Sequence, residues 1–285
     1  MKKVEANFTE RTLNCLECQR TFSALIGPFG MVLGGGLCID CRNRKIKEEE
    51  ERVEAVRVMD IAKKRAQWRN NCGIPMRYIN EEFGTFKTDR PGNVKKAYER
   101  CLEYANCFPL DYASYRRAHH EAYPSLVLQS PQEWGVGKTH LACSIVHNIL
   151  NRWKGENVVN PVVYVNEPDI YRRIRETYSF SNEEKKYRES EGEIMAGLMN
   201  KPLLVLDDIG KEEPRDPKFV QRILYEIINA RYDNLLPVVM TTNLDTEGLK
   251  NYLGSNGNVA TFDRLFEMCE GKFFRITGES YRRKK

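Results

Sequence analysis

No apolar run in this 285-residue sequence approaches the roughly 18 residues that a membrane-spanning helix requires. The opening residues MKKVEANFTERTLN also lack the apolar segment of a secretory signal, so the chain is expected in the cytoplasm, with no membrane partner. Excess charge of one sign is scarce too. Forty-five Lys and Arg against 40 Asp and Glu leave a net charge of +5, too small by itself to announce a nucleic-acid binder. Positive charge gathers only locally, in YRRIR and in the closing YRRKK, where a solvated basic surface is the simplest reading. There is no internal repeat, and no low-complexity stretch beyond one charged segment. With no export signal, the nine cysteines point to metal ligation or buried thiols rather than disulfides.

What is present divides the chain in three. Residues 1–44 are short and rich in Gly and Cys, too small to stand on a hydrophobic core, and need a staple. Residues 45–71 are dense in Glu, Lys, Arg and Ala, which favour helix. There Val53, Val56, Met59 and Ala62 recur every three residues and drift around the helix, so a mostly exposed linker helix is expected. From residue 72 to 285 short Val- and Leu-rich runs alternate with helical segments. SLVLQ, PVVYVN, PLLVLDD and PVVMTTN read as strands of a parallel sheet buried on both faces. THLACSIVHNILNRW, EPDIYRRIRETY, NEEKKYRESEGEIMAGLM and KFVQRILYEIINARYDN read as helices, giving an α/β nucleotide-binding class.

Cys15-x2-Cys18 and Cys38-x2-Cys41, 19 residues apart, have the spacing of a four-thiolate zinc site. Binding of Zn²⁺ would supply the folding energy that the first 44 residues lack, and four protein ligands leave no position for a catalytic water. Cys72, Cys101, Cys107, Cys143 and Cys269 have no ligand spacing and read as packing residues.

The stretch SPQEWGVGKTH follows a strand and opens a helix, the context in which a G-x-x-x-x-G-K-[ST] phosphate loop is credible. The first glycine of that pattern is replaced by Gln132, a substitution that costs about 1–2 kcal/mol if the position needs positive φ. Gly135, Val136, Gly137, Lys138, Thr139 and His140 are the candidate nucleotide-binding residues. Backbone amides there would cradle phosphate at a helix N-terminus, Lys138 would reach the β and γ oxygens, and Thr139 would ligate Mg²⁺. In LLVLDDIG, Asp207 is expected on the Mg²⁺ shell and Asp208 beside the attacking water. Asn243, at the end of PVVMTTN, could bond the γ-phosphate or that water. Arg264 in ATFDRLFEM lies on a helix from which a guanidinium could reach phosphate across a subunit interface. Taken alone, the Asn is as well read as a turn and the Arg as surface.

Together with GIPMRYINEEFGTF, ARYDNLLPVVMTTNL, DRLFEM and the closing SYR, these motifs resemble the AAA+ ATPases of the replicative helicase loader family, the DnaC and DnaI type. That family includes the IstB-like transposition helpers, and the likeness covers about residues 72 to 283. The resemblance implies an AAA+ core with ATP as cofactor, Lys138 and Thr139 as Walker A, Asp207 and Asp208 as Walker B, and Asn243 as sensor 1. It implies Arg264 as an arginine finger acting on a neighbouring subunit, hence a homo-oligomer. It also implies ATP hydrolysis, which Gln132 is expected to slow, a hexameric replicative DNA helicase as partner, and single-stranded DNA contacted by the assembled core, with Arg172, Arg173, Lys185 and Lys186 as DNA candidates by position and charge. The cysteine module resembles that of DnaI-type loaders, where it docks on the helicase. Two departures stand out: Gln132, and Ala260 where loaders commonly carry another arginine one turn before the finger. A transposition helper on duplex DNA and a non-hydrolysing adaptor are the competing readings.

Overall fold

The protein, described here from a computed structural model, is defined over residues 8–154, 159–181, 183–211, 216–254 and 258–283. It forms two compact units, residues 1–63 and 64–285.

In the first unit, β1 (Thr9–Asn14) and β2 (Thr21–Ile26) pair as an antiparallel hairpin, Asn14 opposite Thr21. Helix α1 (Ile39–Asn71) begins here, earlier than its charged composition suggested, so that Cys41 sits in its first turn, and it continues past the end of the unit. Val53, Val56 and Met59 on it are exposed, as their drift around the helix predicts. The unit's buried cluster is Cys15, Cys38 and Cys41 with Phe22 and Leu37 packed against them. An apolar centre that small cannot offset chain entropy by burial.

The second unit opens with α2 (Val94–Cys107) and α3 (Tyr112–His119), then alternates strand and helix. The order is β3 (Leu126–Gln129), α4 (Lys138–Arg152), β4 (Val162–Asn166), α5 (Glu167–Tyr178), α6 (Glu191–Asn200), β5 (Leu203–Ile209), α7 (Pro217–Asp233) and β6 (Val238–Thr242). It closes with α8 (Thr246–Leu253), α9 (Ala260–Met268) and the short β7 (Phe274–Arg275). The five strands form one all-parallel sheet in the order β4-β5-β6-β3-β7. Every residue of β3 and β6 is buried, which is why these strands read as continuous apolar runs without polar alternation. Leu204, Leu206, Val238 and Met240 meet α5 to α9 on one face, while α4 packs against β4, β5 and β6 and against α2. The expected parallel sheet flanked by helices, behind a four-cysteine module and a helical segment, is present.

One helix differs from expectation. The stretch read as a single helix from residue 182 is instead a 3-10 turn at Glu184–Lys186 followed by α6. Ser190 accepts from the Glu193 amide while Glu193 accepts from the Ser190 amide, a capping box that fixes the helix start there. Four of the five unpaired-spacing cysteines are buried as expected, but Cys107 is exposed at the end of α2. Among the described residues no helix is long and apolar enough to cross a membrane.

Candidate functional site

The phosphate loop leaves the buried end of β3 and enters α4 through two glycines with positive φ, Gly135 (+79°) and Gly137 (+112°). A Cβ on Gly137 would lie 2.6 Å from the Phe86 ring, so neither conformation nor space admits a side chain there. Gln132 also adopts positive φ, +65°, the strained condition its place in the motif raised. Ser130 Oγ donates to the Glu133 carbonyl across the loop at 2.7 Å. The buried Val136 side chain is turned away from solvent, and its carbonyl accepts from Arg90 Nη2 at 2.9 Å; Val136 can therefore serve a ligand only through its backbone.

Lys138 is buried and donates through Nζ to Ser130 Oγ and, at 2.7 Å, to Asn243 Oδ1. Burial pushes its pKa down to about 8, against the opposing pull of the Asp208 and Asp207 carboxylates. The sheet thus brings the end of β6 to the start of α4, so that Lys138 donates to a residue 105 positions away.

Asp207 is the last residue of β5 to pair with β4, opposite Asn166. Its Oδ1 accepts from Thr139 Oγ1 at 3.2 Å and from Thr241 Oγ1 at 2.5 Å, and its Oδ2 accepts from Tyr164 OH at 2.6 Å. Burial raises its pKa, and the hydrogen bonds from Thr241 and Tyr164 oppose that rise. The β5–β6 register slips between Leu206 and Ile209, and Asp208 sits in this irregularity with φ +59°. The slip aims the second carboxylate out of the ladder into the cavity, where Lys211 Nζ lies 3.0 Å from it. Thr139 and Asp207 offer hard oxygen donors side by side, a set that fits Mg²⁺.

Lys138, Thr139, His140, Asp208 and Asn243 line one open cavity with Gly135 and Gly137. His140 is held by Glu81, whose carboxylate lies 3.0 Å from Nδ1, and by the Glu82 carbonyl, 3.0 Å from Nε2. Residues to which the sequence reading gave no role complete the walls: Tyr78, Phe86, Arg90, Trp134, Tyr281 and Arg282. Arg90 lies over the Phe86 and Tyr281 rings at 5.3 and 5.6 Å, and Arg282 Nη2 donates to Tyr78 OH at 3.2 Å. Tyr281 N donates to the Gly135 carbonyl at 2.9 Å, and Gly278 N to Glu133 Oε2 at 2.8 Å, so the segment after β7 lies against the phosphate loop. Tyr78 and Phe86 lie in GIPMRYINEEFGTF and Tyr281 and Arg282 in SYR, so both motifs fold onto this cavity, although neither motif assigned these side chains a role; Arg90 and Trp134 lie outside both motifs.

Arg264 does not reach that cavity. It lies over the Tyr225 and Tyr232 rings, 5.8 Å from each, with Nη1 buried and lacking a hydrogen-bond partner among the described residues. Ala260, one turn earlier, is the first residue of α9. Of the DNA candidates, Arg172 is paired with Asp169 and Glu176 at 2.8 and 3.0 Å, and Arg173 with Glu189 at 2.5 Å. Lys185 and Lys186 sit on the exposed 3-10 turn before α6. Lys284 and Lys285 of the basic terminus lie outside the described residues.

In the first unit, the Sγ atoms of Cys15, Cys18, Cys38 and Cys41 all lie within 4.8 Å of one another, with Cys18 and Cys38 3.6 Å apart. Four sulfurs at Zn–S distances of about 2.3 Å in a tetrahedron stand about 3.8 Å from each other, so the cluster is compatible with zinc. Backbone amides of Cys18 and Cys38 lower the Cys15 pKa to about 6, favouring the thiolate that a metal needs. The amide of Cys38 donates to Cys15 Sγ at 3.3 Å.

The model of the family described as IstB-like ATP binding protein matches residues 118–285, more than half of the chain and the whole stretch from the phosphate loop to Arg282. The chain belongs to this IstB-like ATP-binding family. Among curated proteins, this family member is 26% identical over 231 residues to the replicative helicase loader DnaC of Buchnera aphidicola subsp. Baizongia pistaciae (strain Bp), covering 81% of each chain. It is also 26% identical over 185 residues to the replicative helicase loader DnaC of Escherichia coli (strain K12), covering 65% of this chain and 64% of that protein, just under two thirds. A crystal structure of the DnaC helicase loader superposes with a TM-score of 0.52 at 22% identity, over 71% of this chain and all of that one. A crystal structure of DnaI gives 0.50 at 20% identity, over 71% and 94%. These structural likenesses establish the shared AAA+ fold, and the resemblance to DnaC- and DnaI-type proteins drawn from the motifs holds.

Proposed function

We propose that this protein is an ATP-dependent loader that binds a hexameric replicative DNA helicase and delivers it onto single-stranded DNA in the cytoplasm. The observation that carries the nucleotide half of this reading is the convergence of Lys138, Thr139, Asp208 and Asn243 on one cavity, with Asp207 buried behind Thr139 and bonded to it. The names of the DnaC relatives support the helicase half.

ATP would enter with its phosphates on the amides of the loop from Gly135 to Thr139, at the N-terminus of α4. Lys138 already donates to Asn243, so arrival of the γ-phosphate exchanges a neutral acceptor for an anionic one and favours the charged amine. Thr139 and Asp207 would hold Mg²⁺, which when bound neutralises charge developing on the β and γ oxygens. Asp208, exposed to the cavity by the slip in β5, is placed to orient the attacking water and accept its proton, while Asn243 steadies water or γ-phosphate. Arg282 and Arg90 offer further positive charge at the same mouth. Arg264 would act on the nucleotide of a neighbouring subunit in a homo-oligomer; its location away from its own cavity supports that assignment. Gln132 makes turnover slow.

Zn²⁺ on the four cysteines would hold the first unit together structurally. Exposed Phe29, Met31 and Leu33 there supply apolar surface for a protein partner. Mixing the full chain with the replicative hexamer, with and without ATP, followed by size-exclusion chromatography, tests the reading; absence of a complex under both conditions refutes it. The family description favours a second reading, a transposition helper, for which binding would prefer duplex over single-stranded DNA.

A further inference from the structure

A carboxylate outside the motifs holds the turn that presents Asp208. Glu167 is the first residue of α5, directly after β4, and only 2% of it is exposed. Its Oε1 accepts from Tyr171 OH and from Tyr252 OH, both at 2.7 Å, and its Oε2 accepts from the Gly210 amide at 2.7 Å. No lysine, arginine or histidine pairs with it among the described residues. Burial raises its pKa, and the three hydrogen bonds oppose the rise. A buried carboxylate without a cation is costly unless donors saturate it, and here the donors come from α5, from α8 and from the backbone after β5.

The Gly210 contact has a specific effect. Asp208 and Gly210 both have positive φ, +59° and +70°, flanking Ile209. Such alternation is disfavoured for a chain left to itself, and the Gly210 amide has left the sheet ladder to meet Glu167. Leu244 closes the other side, where a Cβ on Gly210 would meet its Cδ1 at 2.4 Å. The turn is therefore fixed from the start of α5 on one side and from the residue after Asn243 on the other.

We propose that Glu167 is a positioning residue for ATP hydrolysis: by accepting the Gly210 amide it holds the 208–210 turn in the conformation that directs Asp208 into the nucleotide cavity. The proposal rests on the ATPase reading given above. Glu167 does not line the cavity, so it acts on the water-orienting group and not on nucleotide binding.

The test uses the full-length chain and its E167Q and E167A variants, each checked for cooperative melting. Affinity is read with a fluorescent non-hydrolysable ATP analogue and hydrolysis by single turnover. Exchange of the Gly210 amide is followed by hydrogen–deuterium mass spectrometry. In E167A, analogue affinity stays within about twofold of the parent, hydrolysis falls by at least about tenfold and Gly210 exchanges faster. E167Q, which keeps one carbonyl acceptor, falls between parent and E167A, and carries the same criteria if E167A does not fold. Hydrolysis within twofold of the parent, an unchanged Gly210 exchange rate, or a parallel loss of affinity and hydrolysis would each overturn the proposal. A parent chain that fails to bind the analogue defeats the ATPase reading itself, and Glu167's role with it.

Discussion

Replacing Gln132 by Gly tests whether the phosphate loop is strained. The residue is exposed with φ +65°, a conformation that costs a side-chain-bearing residue about 1–2 kcal/mol. Glycine removes that cost but adds freedom to the unfolded chain, worth about 0.5–1 kcal/mol in the opposite direction. The net expectation is a gain of about 0.5–1 kcal/mol, or roughly 1–4 °C in the melting of the larger unit. Q132A separates the causes: it deletes the exposed side chain yet keeps the Cβ, and should gain nothing. Urea titration of both variants, with unchanged slope, measures the difference, and ATP hydrolysis in Q132G should rise. Equal stability of Q132G and Q132A would refute the strain argument. An unchanged hydrolysis rate in Q132G would refute the link between this residue and slow turnover while leaving the loader assignment standing.

Lys138 sets a pH dependence: with its free-state pKa near 8 and phosphate raising it, binding takes up a proton above that pH. ATP affinity measured by calorimetry should be flat below pH 8 and weaken as pH rises above it; an affinity independent of pH between 7 and 9 contradicts this. Chelation of metal, or C38S, should remove zinc found by atomic absorption and unfold the first unit, whose core is the thiol cluster, while the larger unit's melting stays in place. Arg231 is wholly buried and donates to the carbonyls of Leu198, Met199, Pro202 and Pro237, with burial pushing its pKa down to about 9. R231M strands those carbonyls and should cost about 3–5 kcal/mol in urea unfolding; a loss below 1 kcal/mol would show that water or relaxation replaces the guanidinium.

Much of the sheet was legible because β3, β5 and β6 are covered on both faces and so appear as unbroken apolar runs. Gly135, Gly137, Lys138 and Thr139 were legible because the demands on a phosphate loop are local in sequence. Arg90 and Arg282 were not: the first meets Val136 across 46 positions and the second meets Tyr78 across 204, distances at which pairing depends on how the whole chain folds. Glu167 was hidden for a different reason. A glutamate opening a helix looks like an ordinary first-turn acid, and only the approach of Tyr252 and Gly210 shows it to be buried. The helix expected from residue 182 failed because propensity extended it past Ser190, where the capping box begins α6.

Asp207 ties Tyr164 of β4 and Thr241 of β6 to Thr139 at the head of α4. An Asp207→Asn chain would give one of those three hydroxyls an amide hydrogen to face, loosening the scaffold and the proposed Mg²⁺ site together. It is therefore a poor choice for trapping a nucleotide-loaded assembly for imaging. Asp208, whose carboxylate faces the cavity and among the described residues pairs with the exposed Lys211, offers the cleaner arrest: its amide counterpart should hold nucleotide with the sheet undisturbed.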